Sequence, residues 1–417
     1  MTFCTRRSPM ATLLGVGIVL VATSVAQADP APPFAALLAE AKARAPRLVV
    51  AGAAIDQARG LAQQSRAYPN PTAGVTVENF NGTKGYRGFN QGETTVTIGQ
   101  PIELWGKRNA RIRAGEAGVT SAEAQAAQTV LDYSFDLALN YAQADASARR
   151  VKLAEEMRQL ANEDLRISKT LVDAGRESQL RMLQAQAAAT AASANLEATR
   201  AEQADWFSRL SALAGSPAPY TSIQQSLLTR PASPVPNVVP STNTMPAVIA
   251  AEAARAAAYE RMQSERTRWQ PDVTASLGTR RFAADGSTAL VASLWFPIPI
   301  WDQNQGNVNA SLGELRAAEA RLASARLDGE AALRTALFQI SAADARVEAA
   351  NQAEETSSQS YRLTRTGYES GRLPLIELLN AQRALALART TLIEAQVARV
   401  RAEADLARLQ GRTPFSG

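Results

Sequence analysis

The sequence predicts a mainly α-helical protein with a small transmembrane β part, built from two copies of one unit. Three observations support this fold class. The segment PIELW at 101–105 returns as PIPIW at 297–301, and the same spacing of 196 positions relates Gly175 to Gly371. Both segments are followed by long tracts almost free of proline and preceded by short alternating segments bounded by proline. A constant spacing over such a distance indicates duplication of a structural unit.

The first 28 residues are predicted to form a secretory signal peptide, in which Arg6 and Arg7 precede an apolar run and a small-residue cleavage site. The chain of 417 residues contains no His, and its single Cys is Cys4, within this signal. The mature chain therefore lacks the side chains for His- or Cys-based catalysis and for zinc, haem or iron–sulfur ligation. We expect neither an enzyme nor a cofactor. The net charge of +5 is spread without a basic stripe, so nucleic-acid binding is not expected.

The repeat divides the chain into successive units. These are the signal peptide at 1–28, the first copy at 29–215, a proline-rich linker at 216–246, the second copy at 247–411 and a tail at 412–417. Each copy is predicted to begin with a short Ala-rich helix and to continue with a strand hairpin and a long helical hairpin. The linker is expected to be extended and wrapped on the surface.

The tracts with little or no proline are predicted to form long antiparallel helices at about 106–214 and 302–410. They are rich in Ala, Leu, Glu, Gln and Arg, which favour helix, and Gly175 and Gly371 are the natural turn points. The outgoing arm of the first copy would extend about 100 Å at 1.5 Å per residue. Because its return arm is much shorter, we expect one long helix to lie beside two shorter helices in each copy.

The return arms carry an apolar seam that repeats every seven residues. In the second copy the seam consists of Leu378, Ala381, Leu385, Ala388, Leu392, Ala395, Arg399, Ala402, Leu406 and Leu409. Small alanines at alternate seam positions permit close approach of helices. The pattern is compatible with helices packed into a larger tube and with an ordinary bundle core.

The proline-bounded segments, at about 72–100 and 272–297, are predicted to be hairpins of transmembrane strands. Apolar and polar residues alternate in both, as at Val75, Thr76 and Val77. Aromatic residues flank the strands: Tyr68, Trp105, Trp269, Trp295 and Trp301 at one end, and Phe80, Tyr86, Phe89 and Phe282 at the other. Such placement is typical of membrane interfaces, although a small soluble sheet capping a bundle is an alternative. Four strands cannot close a membrane barrel, so the chain is expected to pool strands with two, three or four copies in total.

Taken together, these features resemble the TolC family of outer-membrane efflux proteins. The segments AYPNP at 67–71 and QPIELWGKR at 100–108 are similar to the CzcC-like branch, which serves heavy-metal efflux. The resemblance implies a homotrimer whose 12-stranded barrel lies in the outer membrane and continues into an α-helical barrel in the periplasm. Unlike some relatives, this chain has no cysteine that could be acylated at the mature N-terminus.

The resemblance also implies two partners, a periplasmic adaptor and an inner-membrane pump of the resistance–nodulation–division (RND) type. The chain would be a passive exit duct for divalent cations such as those of cobalt, zinc, cadmium or nickel. A duct for drugs or other small organic molecules is one alternative, and a periplasmic coiled-coil adaptor or scaffold is another. Such a scaffold would not require two strand pairs patterned for lipid.

Adaptor docking is expected at the two helical turns, Gly175-Arg176 and Gly371-Arg372. Both are Gly-Arg turns between antiparallel helices at the end remote from the strands. In the family, the helical hairpin of the adaptor engages these tips or the grooves beside them. An ordinary helix turn with a solvated arginine is the alternative.

By the same resemblance, acidic side chains constrict the periplasmic end of the tube six and nine residues beyond the second turn glycine. Those positions hold Glu377 and Asn380 here, and the first copy has Arg181 in place of Glu377. A ring of like charges would attract cations and repel anions. Arg181 or Arg372 is expected to pair with Glu377 and to hold the closed state, whereas an ordinary solvated carboxylate is the alternative role for Glu377.

Overall fold

A computed structural model describes residues 30–231 and 241–415. The predicted signal peptide at 1–28 and part of the linker, 232–240, lie outside the described residues. The helices described are α1 (Phe34–Arg44), α2 (Pro46–Arg66), α3 (Lys107–Asp173), α4 (Gln179–Ala214), α5 (Pro246–Thr267), α6 (Gln305–Glu369) and α7 (Leu375–Leu409). The strands described are β1 (Thr72–Glu78), β2 (Glu93–Ile102), β3 (Val273–Phe282) and β4 (Thr288–Trp295). The predicted class, mainly α with a small β part, is confirmed.

The two copies have nearly the same helix lengths. The outgoing helices α3 and α6 have 67 and 65 residues, and the return helices α4 and α7 have 36 and 35. In the first copy α2 and α4 both pack along α3, and in the second α5 and α7 both pack along α6. The expected arrangement of one long helix beside two shorter ones is therefore confirmed. Helix α3 also packs against α5 and α7, which joins the two copies.

The helices bury one seam and leave another apolar face exposed. Most of the predicted seam of α7 is buried, including Leu378, Leu385 and Leu406. On other faces large apolar side chains are open to solvent, and Phe338 and Leu363 of α6 are 78% and 75% exposed. Exposed apolar surface on a long helix indicates a further packing partner. The single chain thus has more apolar helix surface than it covers, as expected for part of a larger tube.

The strands form one antiparallel sheet in the order β1-β2-β3-β4. Strands β2 and β3 pair over ten residues, with Ile98 opposite Leu277, so the hairpins of the two copies are directly joined. In the described sheet β1 and β4 each have one neighbour only, which leaves two open edges. The connections at 79–92 and 283–287 form one end of the sheet, here called the loop end, and the helices attach at the other.

A packed belt at the middle of α3 was not predicted. It consists of residues 30–45, which include α1, together with 216–231 and 412–415. Ala31 forms a parallel bridge with Ile223, and Leu228 is fully buried in the same core as Tyr141 of α3. Most of 216–231 lies at the surface without helix or strand, as expected of the linker, but Leu227 and Leu228 are buried and complete a core that α3 alone leaves open.

Candidate functional site

The strands divide their side chains between an apolar and a polar face. Directly opposite residues in an antiparallel pair project to the same side of a sheet. The register therefore gives one face consisting mostly of Ala73, Val75, Val77, Val96, Ile98, Ile102, Val273, Ala275, Leu277, Leu290, Ala292 and Leu294. Most of these side chains are exposed, and Leu290 is 81% exposed. A broad, exposed apolar face is what a membrane barrel presents to lipid.

The opposite face is mostly polar and has small side chains. Its members include Thr72, Gly74, Thr76, Glu78, Glu93, Thr95, Thr97, Gly99, Thr274, Ser276, Gly278, Arg280 and Ser293. Space on this face is limited, because a Cβ at Gly278 would overlap the carbonyl oxygen of Val96. Sequence reasoning recognised the alternation within each strand. It did not find that Glu78, Glu93 and Arg280 come together, because this depends on the pairing between the two copies.

Four of the predicted interface aromatics occupy the four connections between helices and strands. In chain order they are Tyr68, Trp105, Trp269 and Trp301. All four are exposed, and Trp301 is 93% exposed. The ring of Tyr68 faces the guanidinium of Arg108, with 4.1 Å between the guanidinium carbon and the ring centroid. The four aromatics thus lie at one level along the molecule, where the helices join the sheet. Their role at a membrane interface stays a prediction.

Each predicted tip turn ends its outgoing helix with a glycine in the left-handed region. The φ angles of Gly175 and Gly371 are +69° and +73°. The backbone N–H of the next residue, Arg176 or Arg372, donates to a carbonyl oxygen five residues earlier, at 2.8 and 2.9 Å respectively. This is the hydrogen-bond pattern of a Schellman cap. Both arginine side chains are exposed at the far end of the helices.

The predicted gate residues lie on the first turns after the tips. Glu377 and Asn380 are both exposed, and Glu377 is in the first turn of α7, where the helix dipole favours a carboxylate. In the described part of the chain neither Arg181 nor Arg372 pairs with Glu377. The Nη1 atom of Arg181 instead lies 3.0 Å from Oε1 of Glu177, four residues earlier in the tip turn. Within this protomer the expected ion pair with Glu377 does not form, because Arg181 pairs with Glu177 in the turn just before α4.

Sequence reasoning missed a buried carboxyl group near the tips. Asp164 of α3 is 2% exposed, and its Oδ2 atom has no hydrogen-bond partner among the described atoms. Burial raises the pKa of Asp164 to about 6, although the charge of Arg365 opposes this and that of Glu163 reinforces it. The hydroxyl of Tyr361, also buried, lacks a partner among the same atoms.

A sequence signal for this carboxyl group did exist. Ala161, Asp164 and Ser168 recur at spacings of three and four, which places them on one face of α3, and all three are buried. A carboxylate at a core position of an otherwise small and apolar stripe is unusual. The signal was hidden because acidic residues are frequent along the whole tract.

In the part of the chain that the structure describes, no helix combines the length and apolarity needed to cross a membrane. The same residues contain no group of three His, Cys, Asp or Glu side chains placed to hold a metal ion.

Comparison with known proteins identifies relatives along almost the whole chain. Residues 37–216 and 242–412 match the model of the family described as outer membrane efflux protein. The chain is 40% identical over 405 residues to the nickel-cobalt-cadmium resistance protein NccC of Alcaligenes xylosoxydans xylosoxydans, covering 97% of this chain and 92% of that protein. It is also 40% identical over 331 residues to the nickel and cobalt resistance protein CnrC of Cupriavidus metallidurans, covering 79% of each. The cobalt-zinc-cadmium resistance protein CzcC of the same organism is 29% identical over 353 residues, with 82% and 81% covered.

Solved structures share the fold at low sequence identity. The CmeC outer membrane channel of Campylobacter jejuni superposes with a TM-score of 0.79 at 16% identity, covering 92% of this chain and 87% of that one. The outer membrane protein VceC of Vibrio cholerae gives a TM-score of 0.74 at 20% identity, covering 91% and 96%. The sheet and the long helical hairpins of this chain therefore have the fold of these proteins.

Proposed function

Because the chain belongs to the outer membrane efflux protein family, it is a transport duct and not an enzyme, and we propose that it exports divalent heavy-metal cations as the exit component of a tripartite system. Its sheet lies in the outer membrane and its long helices lie in the periplasm. The observation that carries the role of a duct is the two-faced sheet, which has one face suited to lipid and one suited to water. The cargo is inferred from NccC, CnrC and CzcC, whose names all refer to resistance to nickel, cobalt, cadmium or zinc.

The functional unit in this proposal is a homotrimer. One chain supplies four strands and two open edges. Open edges are not tolerated in hydrocarbon, and membrane barrels have at least eight strands. Three copies give twelve strands in a closed barrel. They would also cover the apolar helix faces on which Phe338 and Leu363 are exposed.

The partners in this proposal are a periplasmic adaptor, which docks at the helical tips, and an RND pump in the inner membrane. The Schellman turns at Gly175-Arg176 and Gly371-Arg372 are solvent-facing and remote from the sheet, which suits docking. The pump supplies the energy and selects the cargo. The chain itself guides ions that have already been selected, and no covalent step is involved.

The periplasmic gate is proposed at the exposed turn that carries Glu377 and Asn380. Threefold symmetry would bring three copies of Glu377 towards one axis, and fixed carboxylates near a narrow pore attract cations and repel anions. Arg181 belongs to the gate region as a neighbouring charge that Glu177 holds in place. Within one protomer it does not pair with Glu377.

A transport experiment tests this function. A Gram-negative strain that lacks its own ducts is supplied with this chain, together with the adaptor and the pump of a nickel–cobalt–cadmium resistance system. We expect growth in nickel, cobalt, cadmium or zinc salts to improve and cell-associated metal to fall, only when all three components are present. Val75→Arg, which places a charge on the lipid face, is the matched negative control. Improved tolerance of organic dyes or drugs without a change in metal content would contradict the proposed cargo.

A further inference from the structure

Charge on the polar face of the sheet is confined to the loop end. The register places Glu78 opposite Glu93, and Thr95 opposite Arg280, all within a few residues of the connecting loops. Glu78, Glu93 and Arg280 are the charged members of this face within the described strands. Because the helices attach at the other end, these charges lie as far from the helical tips as the sheet allows.

Arg280 is held in one position by contacts to two strands. Its Nη1 atom lies 2.8 Å from Oε2 of Glu93, and its Nη2 atom lies 3.2 Å from Oε2 of Glu78. Its Nε donates a hydrogen bond of 2.9 Å to the hydroxyl of Thr95. Asn79 also donates to Glu93, at 3.2 Å. A planar guanidinium with several directed contacts is well ordered, so its charge acts from a fixed place.

We propose that Arg280 is a specificity-determining residue, which sets the net charge, and hence the cation preference, at the outer mouth of the duct. The inference rests on the proposed function, in which three copies turn their polar faces to a common lumen. Each copy contributes two carboxylates and one guanidinium, a net charge of −1, so the ring carries −3. This ring lies at the opposite end of the molecule from Glu377.

The physical basis is the field of fixed charges on the wall of a narrow aqueous pore. Rings of charged side chains select ions by sign, and walls of low dielectric concentrate their field. At an ionic strength of 0.1 M this field extends about 10 Å, a distance over which passing ions respond to it. Removing the guanidinium would double the negative charge of the ring, and removing one carboxylate per copy would abolish it. The two changes must therefore shift selectivity in opposite directions.

Reversal potentials in planar bilayers, under a gradient of dilute potassium chloride, test the proposal. We expect Arg280→Gln to raise the ratio of cation to anion permeability, and Glu78→Gln to lower it, each by roughly sevenfold, because a change of about kT/e in the ring potential raises the local concentration of one ion and lowers that of the other by about the same factor. Arg281→Gln is the matched control. It removes the same charge from the next residue, which projects to the opposite face between Thr94 and Thr288, and should leave the ratio unchanged.

A double variant separates charge from folding. Glu78→Gln combined with Arg280→Gln leaves Glu93 alone, so the ring again carries −3 and the ratio should return to that of the parent. This variant and Glu78→Gln carry the test if Arg280→Gln alone does not assemble. A parent protein that forms no channels would contradict the proposed function. A conducting parent whose charge variants all keep its permeability ratio would overturn the inference about Arg280.

Discussion

Replacing Asp164 with Asn is expected to stabilise the helices near the tips at neutral pH. The pKa of Asp164 is raised from its ordinary value of 3.8 to about 6, chiefly by burial. The folded state therefore holds the proton more tightly than an opened state, and its stability falls as pH rises from about 4 to about 6. The difference in pKa between the folded and opened states destabilises the folded state by about 3 kcal/mol at pH 7.5, but by only about 0.5 kcal/mol at pH 4. Asn keeps the shape of the side chain without its charge.

Hydrogen–deuterium exchange of peptides around 160–168 and 361–368 measures this difference. Where opening and closing are fast relative to chemical exchange, protection reports the opening equilibrium, and the variant should exceed the parent in protection by about 150-fold at pH 7.5 and by about threefold at pH 4. Asp173→Asn is the control, because Asp173 is an exposed carboxylate at the end of α3 and is not among the charges that shift the pKa of Asp164. Its protection should match the parent at both pH values. Equal protection of Asp164→Asn and parent at pH 7.5, or an advantage that does not depend on pH, would refute the reasoning.

Three further predictions concern the tips, the lipid face and the gate. Alanine at both Gly175 and Gly371 meets no atom within 4 Å, but it costs about 1–2 kcal/mol per site in the left-handed region, so adaptor crosslinking should fall. Asparagine tolerates the left-handed region, so asparagine at both positions should restore adaptor crosslinking. Equal crosslinking of the alanine and asparagine variants would count against docking at the tips. Val75→Arg should lower the stability of the barrel in the membrane by about 2–4 kcal/mol and reduce its yield. Thr76→Arg, on the polar face, should leave the yield unchanged. Equal yields of the two variants on cell fractionation would contradict the assignment of the faces. Glu377→Gln should weaken block of single channels by multivalent cations, and parental block would place the gate elsewhere.

Much of the fold could be predicted because its local signals agree with one another. The turns at Gly175 and Gly371 were identified from glycine between two helical tracts, and the structure has a left-handed glycine at each. The strands were identified from alternation, which the register of β2 with β3 then extends across the two copies. Helix propensity, the alternation of apolar and polar residues, and the helix ends and turns marked by glycine and proline are properties of short segments. They can therefore be recognised without knowledge of long-range contacts.

Two of the features that sequence reasoning missed, the belt and the contacts of Arg280, depend on contacts between distant segments. The belt residues 216–231 have no helical or strand period, and they are ordered by partners such as Tyr141, whose hydroxyl donates to the carbonyl oxygen of Gln225 at 2.8 Å. Within one protomer Arg181 pairs with Glu177 of the tip turn and not with Glu377, a choice that depends on how the turn folds back on α4. The position of Arg280 between two glutamates follows from strand pairing across the two copies, which the composition of one strand does not reveal.

The mass of the purified protein in detergent tests the central claim most directly. That claim is that four strands with two open edges are completed by identical copies, so that the duct exists only as an assembly. Native mass spectrometry of the detergent-extracted protein should give three times the mass of the mature chain, with no stable species of one or two copies. A monomer or a dimer as the largest stable species would contradict the claim, because twelve strands could not then surround a common lumen.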